Sequence, residues 1–369
     1  MNISLKTPNP DINEFKDIVL RKKISRKVHF GELHFDKEVI EYITKNILEK
    51  KWVEPVASDK KTQEICLKNF IECWYKLGFD FVRQSGDFRF GGNLHFTAKT
   101  RRGQDTADLS RTTRQWVEEG KGIISDWQDF EKYSWPSADD LDLWSFEFVS
   151  KNLPEGMGMF VCISQGILEV VLNTLLGFEN FSFFLYDNPD IIKAIFDKVG
   201  EIIYKGYEKL IGLDKMTGFF QGDDFGFKTS TLVPPKILKD YVLPWHKKIA
   251  ELAHKNNLIY IFHSCGYLEP VIEDLIEDVK IDVKHSFEDA VIPVTEFKEK
   301  YGKRIGVMGG VDVDKICRME EKELRKYVRN ILDKCMPDGG YILGSGNSVT
   351  NYMPISNYLT VLDEGDRWK

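Results

Sequence analysis

The chain has 369 residues, of which 42% are hydrophobic and 30% charged, and its net charge is −7. That length suits one large α/β barrel or two ordinary domains, and the composition allows a sizeable core and argues against disorder. Acidic and basic residues are mixed along the chain without a long basic block. Nucleic acid and anionic membrane surfaces are therefore not expected partners.

Neither export nor membrane insertion is expected for this chain. No apolar run reaches the roughly 18 residues of a membrane helix, and the first twenty residues are polar and lack a signal-peptide core. The six cysteines are scattered and form no CxxC pair. In a chain of this length they predict reduced thiols and a cytoplasmic protein rather than a disulfide framework.

The first predicted elements are helices. Residues 36–52 and 62–80 carry apolar residues at spacings of three and four. A short strand follows, and residues 84–120 then lack clear periodicity; so long an excursion in a compact domain is more often functional than idle. We expect residues 1–70 to pack as helices outside a larger domain that spans 71–369.

From Gly122 onward the sequence alternates between strands and helices. Continuous apolar strands are typical of parallel sheets buried on both faces, and no GxGxxG turn follows an early strand. At least five strand–helix units in succession predict a (β/α)8 barrel. The predicted strands are 156–164, 217–224, 258–266, 280–288, 304–313 and 339–349.

Polar side chains gather where these strands end, which is where the chemistry of such barrels is located. Their number exceeds what folding alone requires. They are Asp223, Asp224, His263, Cys265, His285, Glu288, Asp312, Ser345, Asn347 and Ser348.

His263 and Cys265 are the first candidates for a metal site. Residues two apart in a strand point to the same side, so both can face one ligand. Imidazole and thiolate suit Zn²⁺, which takes N and S donors in tetrahedral geometry. The alternative is a buried, hydrogen-bonded His beside an inert buried Cys.

Two carboxylates and two arginines are further candidates. Asp223 and Asp224 are adjacent, so only one should point into the barrel, as an acid/base, a metal ligand or the group that orients His263. The alternative is that they cap a turn. Arg83 and Arg89 could hold a substrate carboxylate in a bidentate way, although surface arginines would look the same.

An ordered set of motifs resembles the uroporphyrinogen decarboxylase superfamily. It consists of "FHSCGYLEPVIEDLIE", "IGVMGGVDV" and "GGYILGSGNSV…MPISN", and "GIISDWQDFEKYSWP" and "GDDFGF" resemble a branch seen in anaerobic bacteria. The resemblance covers about residue 70 to the end and implies a (β/α)8 barrel.

The superfamily holds two chemistries. Its decarboxylases remove carboxyls from a tetrapyrrole without a cofactor and carry an arginine stretch and a last-strand His. Its cobamide-dependent methyltransferases bind zinc through a His-x-Cys and a last-strand Cys. This chain has the His-x-Cys pair of the methyltransferases, as His263 and Cys265. Asn347 stands where the decarboxylases have the last-strand His and the methyltransferases have the last-strand Cys. The stretch "VRQSGDFR" resembles the arginine stretch of the decarboxylases only weakly. A further ligand could come from Asp223, Asp224, Glu169 or His285.

The resemblance implies a methyltransferase that moves a methyl group between a small methylated or methoxylated compound and a corrinoid protein, with zinc as Lewis acid. Its expected metal ligands are His263 and Cys265. A tetrapyrrole decarboxylase is the alternative, and a corrinoid- or tetrapyrrole-binding module with a decayed site is a third, supported by the missing last-strand Cys. The expected catalytic groups are Asp223, Asp224 and Asn347, and the expected substrate-binding groups are Arg83, Arg89 and His285.

Overall fold

A computed structural model describes residues 7–85, 94–97, 100–110, 113–117 and 122–368, with only the backbone of 114–117. Within these ranges seven parallel strands form one curled sheet in the order β1-β4-β5-β6-β7-β8-β9, and β2 and β3 form an antiparallel hairpin inside the long excursion. The strands are β1 Phe81–Ser85, β2 Thr100–Gln104, β3 Thr113–Val117, β4 Gly158–Cys162, β5 Met216–Gly222, β6 Ile259–His263, β7 Val283–His285, β8 Gly306–Met308 and β9 Tyr341–Ile342.

The predicted α/β fold on a parallel sheet is confirmed. Every residue of β4 and β6 is buried, as expected where both faces of a strand are covered. Each strand of the sheet pairs with the one before it, so all their carboxyl ends meet at one end of the fold.

Helices separate the strands. Pro189 occupies the first turn of α8, where its missing N–H costs nothing because that N–H would lack a helical partner. The helices are α1 Ile12–Val19, α2 Lys37–Asn46, α3 Lys60–Lys76, α4 Trp127–Lys132, α5 Trp144–Asn152, α6 Ile167–Glu169, α7 Gly177–Asp187, α8 Pro189–Leu210, α9 Pro235–Ile237, α10 Leu243–Lys255, α11 Val294–Tyr301, α12 Val313–Arg318, α13 Glu321–Cys335 and α14 Ile355–Arg367, with π-helical segments at Val170–Leu176, Leu238–Val242 and Asp274–Val279.

One apolar stretch is longer than the sequence pattern indicated. The helical run Ile167–Asp187 meets the length and composition of a membrane span, although 56% of its most apolar window is buried inside the fold. Burial against the sheet accounts for that composition, as in the core helix of a barrel. All six cysteines are free thiols, as predicted.

Helix α1 covers the amino-terminal ends of the strands. The ring of Phe15 lies 5.1 Å from that of Phe81 in β1 and 6.0 Å from that of Phe160 in β4, centroid to centroid. The backbone N–H of Asp11 donates to Oδ1 of Asp80 at 2.8 Å. Aromatic packing of this kind closes the end of the sheet that lies opposite the polar strand ends.

A short segment around Phe30 lies between the two edges of the sheet. Phe30 forms a parallel bridge with Leu343 beside β9, and its ring lies 6.1 Å from that of Phe79, directly before β1. The neighbouring Glu32 is fully buried and accepts hydrogen bonds of 2.6 Å from both the N–H and the hydroxyl of Ser345. The division of the chain into two parts at residue 70 stays a prediction. The eighth strand of the barrel stays a prediction as well.

Candidate metal-binding active site

The ends of three neighbouring strands bring the candidate side chains together. In the sheet register Gly222 of β5 pairs with His263 of β6, which pairs with His285 of β7. The chain turns immediately after β6, where Gly266 adopts a φ of +76° that other residues rarely tolerate. This turn sets Cys265 beside the imidazole of His263.

Asp224, His263 and Cys265 form a compact donor cluster. Nε2 of His263 lies 3.4 Å from Sγ of Cys265 and 3.6 Å from Oδ1 of Asp224, and one ligand atom from each residue lies within 4.8 Å of the others. Zinc bonds of about 2.0–2.3 Å place tetrahedral donors roughly 3.3–3.8 Å apart. The cluster therefore fits a zinc ion with three protein ligands and an open fourth position.

The sulfur of Cys265 also receives two hydrogen bonds. Nδ2 of Asn347 donates to it at 3.3 Å and Oγ of Ser286 at 3.4 Å. Ser286 adopts a φ of +87°, a strained conformation that persists only where its surroundings hold it. Two donors directed at one sulfur favour its thiolate form.

Lys284 links the two chain segments that follow β6 and β7, next to this sulfur. Its buried ammonium donates to the carbonyl oxygens of Ser264, at 3.2 Å, and Ser286. Burial lowers the pKa of Lys284 to about 8. Lys284 and Ser286 were not among the candidates from sequence; a lysine inside the apolar run of β7 was the available signal, whereas nothing in the sequence indicates the strained backbone of Ser286.

Burial determines the protonation of the donors before a metal binds. It lowers the pKa of His263 to about 4, so the ring is neutral at pH 7 and has a free lone pair. Burial, reinforced by Asp224, raises the pKa of Cys265 to about 12. A metal that binds here must therefore displace a proton from the thiol.

A cavity of about 310 Å³ borders the cluster. It is small and polar, and its walls come from the strand ends and from the segment that follows Phe30. The lining residues are Leu33, His34, Arg83, Ser85, Cys162, Ser164, Gln165, Glu169, Gly222, Asp224, His263 and Ser348.

Arg83 is held firmly in this wall. Its Nε donates to the carbonyl of Phe220 at 3.0 Å and its Nη1 to that of Leu33 at 3.3 Å, while the guanidinium carbon lies 5.1 Å from the centre of the Phe220 ring. Nη2 of the same guanidinium makes no hydrogen bond to any residue that the structure describes. Arg89, the other predicted arginine, lies outside the described residues.

Glu169 brings a second carboxyl to the cavity. Its Oε2 accepts a hydrogen bond of 3.1 Å from the N–H of Gly166. Burial raises the pKa of Glu169 to about 8, and the negative charges of Asp224 and Asp223 act in the same direction. A protonated carboxyl therefore lies beside the cluster at neutral pH.

Asp223 lies outside the cluster. Its fully buried carboxylate accepts hydrogen bonds from the N–H groups of Leu168, at 3.0 Å, and Glu169, at 3.1 Å, and lies 2.8 Å from Nε2 of His246. These contacts anchor the start of the helical run that carries Glu169. The geometry gives Asp223 a structural position and directs Asp224 to the site, as expected for adjacent residues.

His285 does not line the cavity, contrary to its expected contact with substrate. It is fully buried beneath His263, with its Nδ1 2.7 Å from Nδ1 of His263 and its ring 5.4 Å from that of Phe220, centroid to centroid. Its side chain has no route to a bound substrate because His263 and Phe220 cover it.

A second cavity, of about 600 Å³, lies on the other side of Asn347. Ser348 lines both cavities. The lining of the second one includes four acidic residues after β7 and β8, among them Glu288 and Asp312 from the predicted strand ends, and the two lysines Lys228 and Lys315. Cys265, bonded to Asn347, thus lies close to both.

A barrel-like α/β fold with donor side chains at the carboxyl ends of its strands defines a class of enzymes rather than a single one. The family model described as uroporphyrinogen decarboxylase (URO-D) matches residues 170–368. The chain belongs to the uroporphyrinogen decarboxylase family, which confirms the resemblance found in the motifs.

Solved structures share this fold at low sequence identity. A methyltransferase from Methanosarcina mazei is 13% identical with a TM-score of 0.66 over 97% of this chain and 99% of that one. A B12-independent methionine synthase from Shewanella sp. W3-18-1, in complex with selenomethionine, is 13% identical with a TM-score of 0.54 over 93% of this chain and 97% of that one. A putative vitamin-B12-independent methionine synthase from Listeria monocytogenes is 13% identical with a TM-score of 0.52 over 92% of this chain and 95% of that one. No curated protein matches the chain in sequence.

Proposed function

We propose that the protein is a methyltransferase that moves a methyl group between a small methylated or methoxylated compound and a corrinoid protein, in the cytoplasm of an anaerobic bacterium. The observation that carries the proposal is the cluster of Asp224, His263 and Cys265 at the edge of a small cavity. The similarity of the fold to a methyltransferase and to methionine synthases agrees with it.

The donor set supports zinc as the metal. A neutral imidazole nitrogen, a thiolate and a carboxylate oxygen are its usual ligands. Bound here, zinc would act as a Lewis acid toward the methylated compound. Asn347 and Ser286 would stabilise the negative sulfur through the hydrogen bonds that they already donate to it.

The small cavity supports a small methyl donor. Ligand pockets commonly measure about 300–1,000 Å³, and this one, about 310 Å³, is at the low end. Among its described lining residues Arg83 is the one arginine or lysine, whereas Asp224 and Glu169 are acidic. A tetrapyrrole with a carboxylate-bearing chain on every ring would be too large for this cavity and too anionic for its lining. This weighs against the decarboxylase alternative.

Arg83 and Glu169 supply the remaining roles that the reaction needs. Arg83, fixed by two carbonyls, would bind an anionic group of the donor through its remaining N–H groups and so orient the methyl group. When the methyl group leaves, the donor atom keeps the bonding electron pair. Glu169 is the nearby acid that can give that atom a proton.

The corrinoid partner is the methyl acceptor in this proposal. It is inferred from the sequence resemblance to cobamide-dependent methyltransferases. The larger cavity is lined by Asn347, which hydrogen-bonds the same sulfur, and it would provide the space through which an acceptor approaches. We also propose that the segment around Phe30 completes the barrel as its eighth strand.

Metal content tests the site. The wild type purified with zinc should hold about one zinc per chain, and Cys265→Ser should lose most of it because the thiolate is the softest donor. Cys317→Ser is the matched control, since Cys317 is partly exposed on α12 and outside the cluster. Equal zinc in all three proteins would exclude this metal centre.

Turnover distinguishes the reactions. The chain alone should show no turnover, because protein side chains cannot supply Co(I), the methyl acceptor in this proposal. With a reduced corrinoid and a panel of methylated donors it should convert the corrinoid absorbance to that of the methylated form, and His263→Ala should abolish the change. Release of carbon dioxide from uroporphyrinogen by the isolated chain, unaffected by His263→Ala, would establish the decarboxylase instead.

A further inference from the structure

His263 and His285 contact each other through the same ring atom. Their Nδ1 atoms are 2.7 Å apart, their ring centroids 5.0 Å apart and their ring planes inclined by 31°. Both rings are buried, at 6% and 0% exposure. At this distance one nitrogen must carry a proton and the other a lone pair, because two protons or two lone pairs would repel.

The position of His263 decides which nitrogen carries the proton. Its Nε2 faces Sγ of Cys265 and Oδ1 of Asp224, and an imidazole binds a metal through an unprotonated nitrogen. The proton of the neutral ring must then reside on Nδ1, which donates to His285. His285 therefore accepts at Nδ1 and carries its own proton on Nε2.

The surroundings of His285 suit that arrangement. Its Nε2 is buried and makes no hydrogen bond of good geometry within the described residues. Burial lowers the pKa of His285 well below its ordinary value, and the Ser345 carbonyl opposes that shift only in part, so the ring is neutral. A Cβ at Gly309 would lie 3.1 Å from this Nε2, so the glycine leaves room for the ring. Phe220 covers its side at 5.4 Å.

We propose that His285 is a positioning residue that fixes the metal-binding tautomer of His263. The inference rests on the proposed metal centre. A metal-bound histidine usually donates to a carboxylate, a backbone carbonyl or water. A neutral imidazole is a weaker acceptor than a carboxylate, so His263 passes less negative charge to the metal, and the metal keeps more of its Lewis acidity toward the donor.

Two substitutions separate this role from simple packing. His285→Leu fills the space but removes the acceptor, whereas Oδ1 in His285→Asn can accept where Nδ1 did. Loss of such a partner typically costs about 10- to 100-fold in metal affinity. We expect that loss in the Leu variant, measured as zinc affinity by competition with a chromophoric chelator, and an affinity within a few-fold of wild type in the Asn variant.

His29→Leu is the matched control. His29 is equally buried, but it hydrogen-bonds Asp80 at the opposite end of the fold and should leave zinc affinity unchanged. Circular dichroism and thermal unfolding of all variants report whether they fold. The tautomers are read in the wild type itself, by NMR correlation of ring nitrogens with ring carbon-bound protons, so the inference stays testable even if the Leu variant does not fold.

The zinc-loaded wild type should show His263 protonated on Nδ1 and His285 on Nε2. A proton on Nε2 of His263, or wild-type zinc affinity in His285→Leu, would overturn the inference while leaving the metal centre intact. A wild type that binds no zinc would overturn the metal centre and this inference together. Zinc affinity that depends on His285, without methyl transfer, would support the inference and remove only the proposed reaction.

Discussion

Asn347 donates a hydrogen bond of 3.3 Å from its Nδ2 to the Sγ of Cys265, although 82 residues separate them. The methyltransferases that the motifs resemble carry a cysteine at the position of Asn347. In this chain the loop after β9 therefore contributes a hydrogen bond to the thiol instead of a second sulfur ligand. The candidate cluster offers one nitrogen, one sulfur and one oxygen donor.

Asn347→Cys should add a sulfur donor to the cluster. Because zinc prefers thiolates, we expect its affinity to rise by roughly tenfold or more, measured by chelator competition under reducing conditions. Ser348→Cys, one residue further along the same loop, is the control and should change it little. Unchanged affinity in Asn347→Cys would mean that position 347 cannot reach the metal.

The two adjacent aspartates should respond differently to substitution by asparagine. Asp224→Asn removes a charged ligand and should reduce turnover by about 100-fold or more with folding intact. Asp223→Asn disturbs buried hydrogen bonds to backbone N–H groups and His246, which should cost about 1–3 kcal/mol in the free energy of unfolding. Equal loss of activity in both variants, each with wild-type stability, would contradict the assignment.

Arg83→Met should weaken the binding of only those methyl donors that carry an anionic group. A lost charge-assisted hydrogen bond of about 1.5–3 kcal/mol corresponds to a roughly 10- to 100-fold rise in KM. The comparison is a carboxylated methyl donor against its uncharged analogue, with zinc content measured in parallel. A similar rise in KM for both donors would assign Arg83 to the architecture of the wall rather than to substrate binding.

Glu32 makes the stability of the fold depend on pH. Burial raises its pKa to about 7 from an ordinary value of 4.5. Between these values the unfolded chain has released the proton and the folded one has kept it, so stability falls as pH rises from about 4.5 to about 7. Glu32→Gln should abolish that fall, gaining up to about 3 kcal/mol over wild type at pH 8 but little at pH 4.5.

Chemical denaturation of both proteins at a series of pH values measures this difference. The glutamine can still accept from the N–H of Ser345 and donate to its hydroxyl oxygen, so the buried contact is kept. Glu155→Gln, in the exposed turn before β4, provides the comparison. A difference between wild type and Glu32→Gln that does not change with pH would show that Glu32 is ionised throughout.

The sequence predicted the parallel sheet because strands such as β4 and β6 are apolar throughout. It also placed His263 and Cys265 on one side by the two-residue period of a strand. However, β6 ends at His263, so the turn at Gly266 rather than the strand period sets the position of Cys265. Such a turn depends on contacts with Gly226 and Phe227, which are distant in the sequence.

How deeply each histidine lies inside the fold could not be predicted either. His263 and His285 are each the last residue of a strand, and both point inward. Their pairing across the sheet places one ring above the other, so only the upper ring reaches the cavity. Which of two inward histidines is the upper one depends on strand register, and register is fixed by pairing between strands.

The hydrogen bonds between Glu32 and Ser345 join residues that are 313 positions apart. A ribosome makes the segment around Phe30 long before it makes its partner residue, Leu343. Until then both edges of the growing sheet lack their neighbours, which exposes backbone groups to other chains. The segment around Phe30 can therefore join the sheet only after residue 343 has been translated.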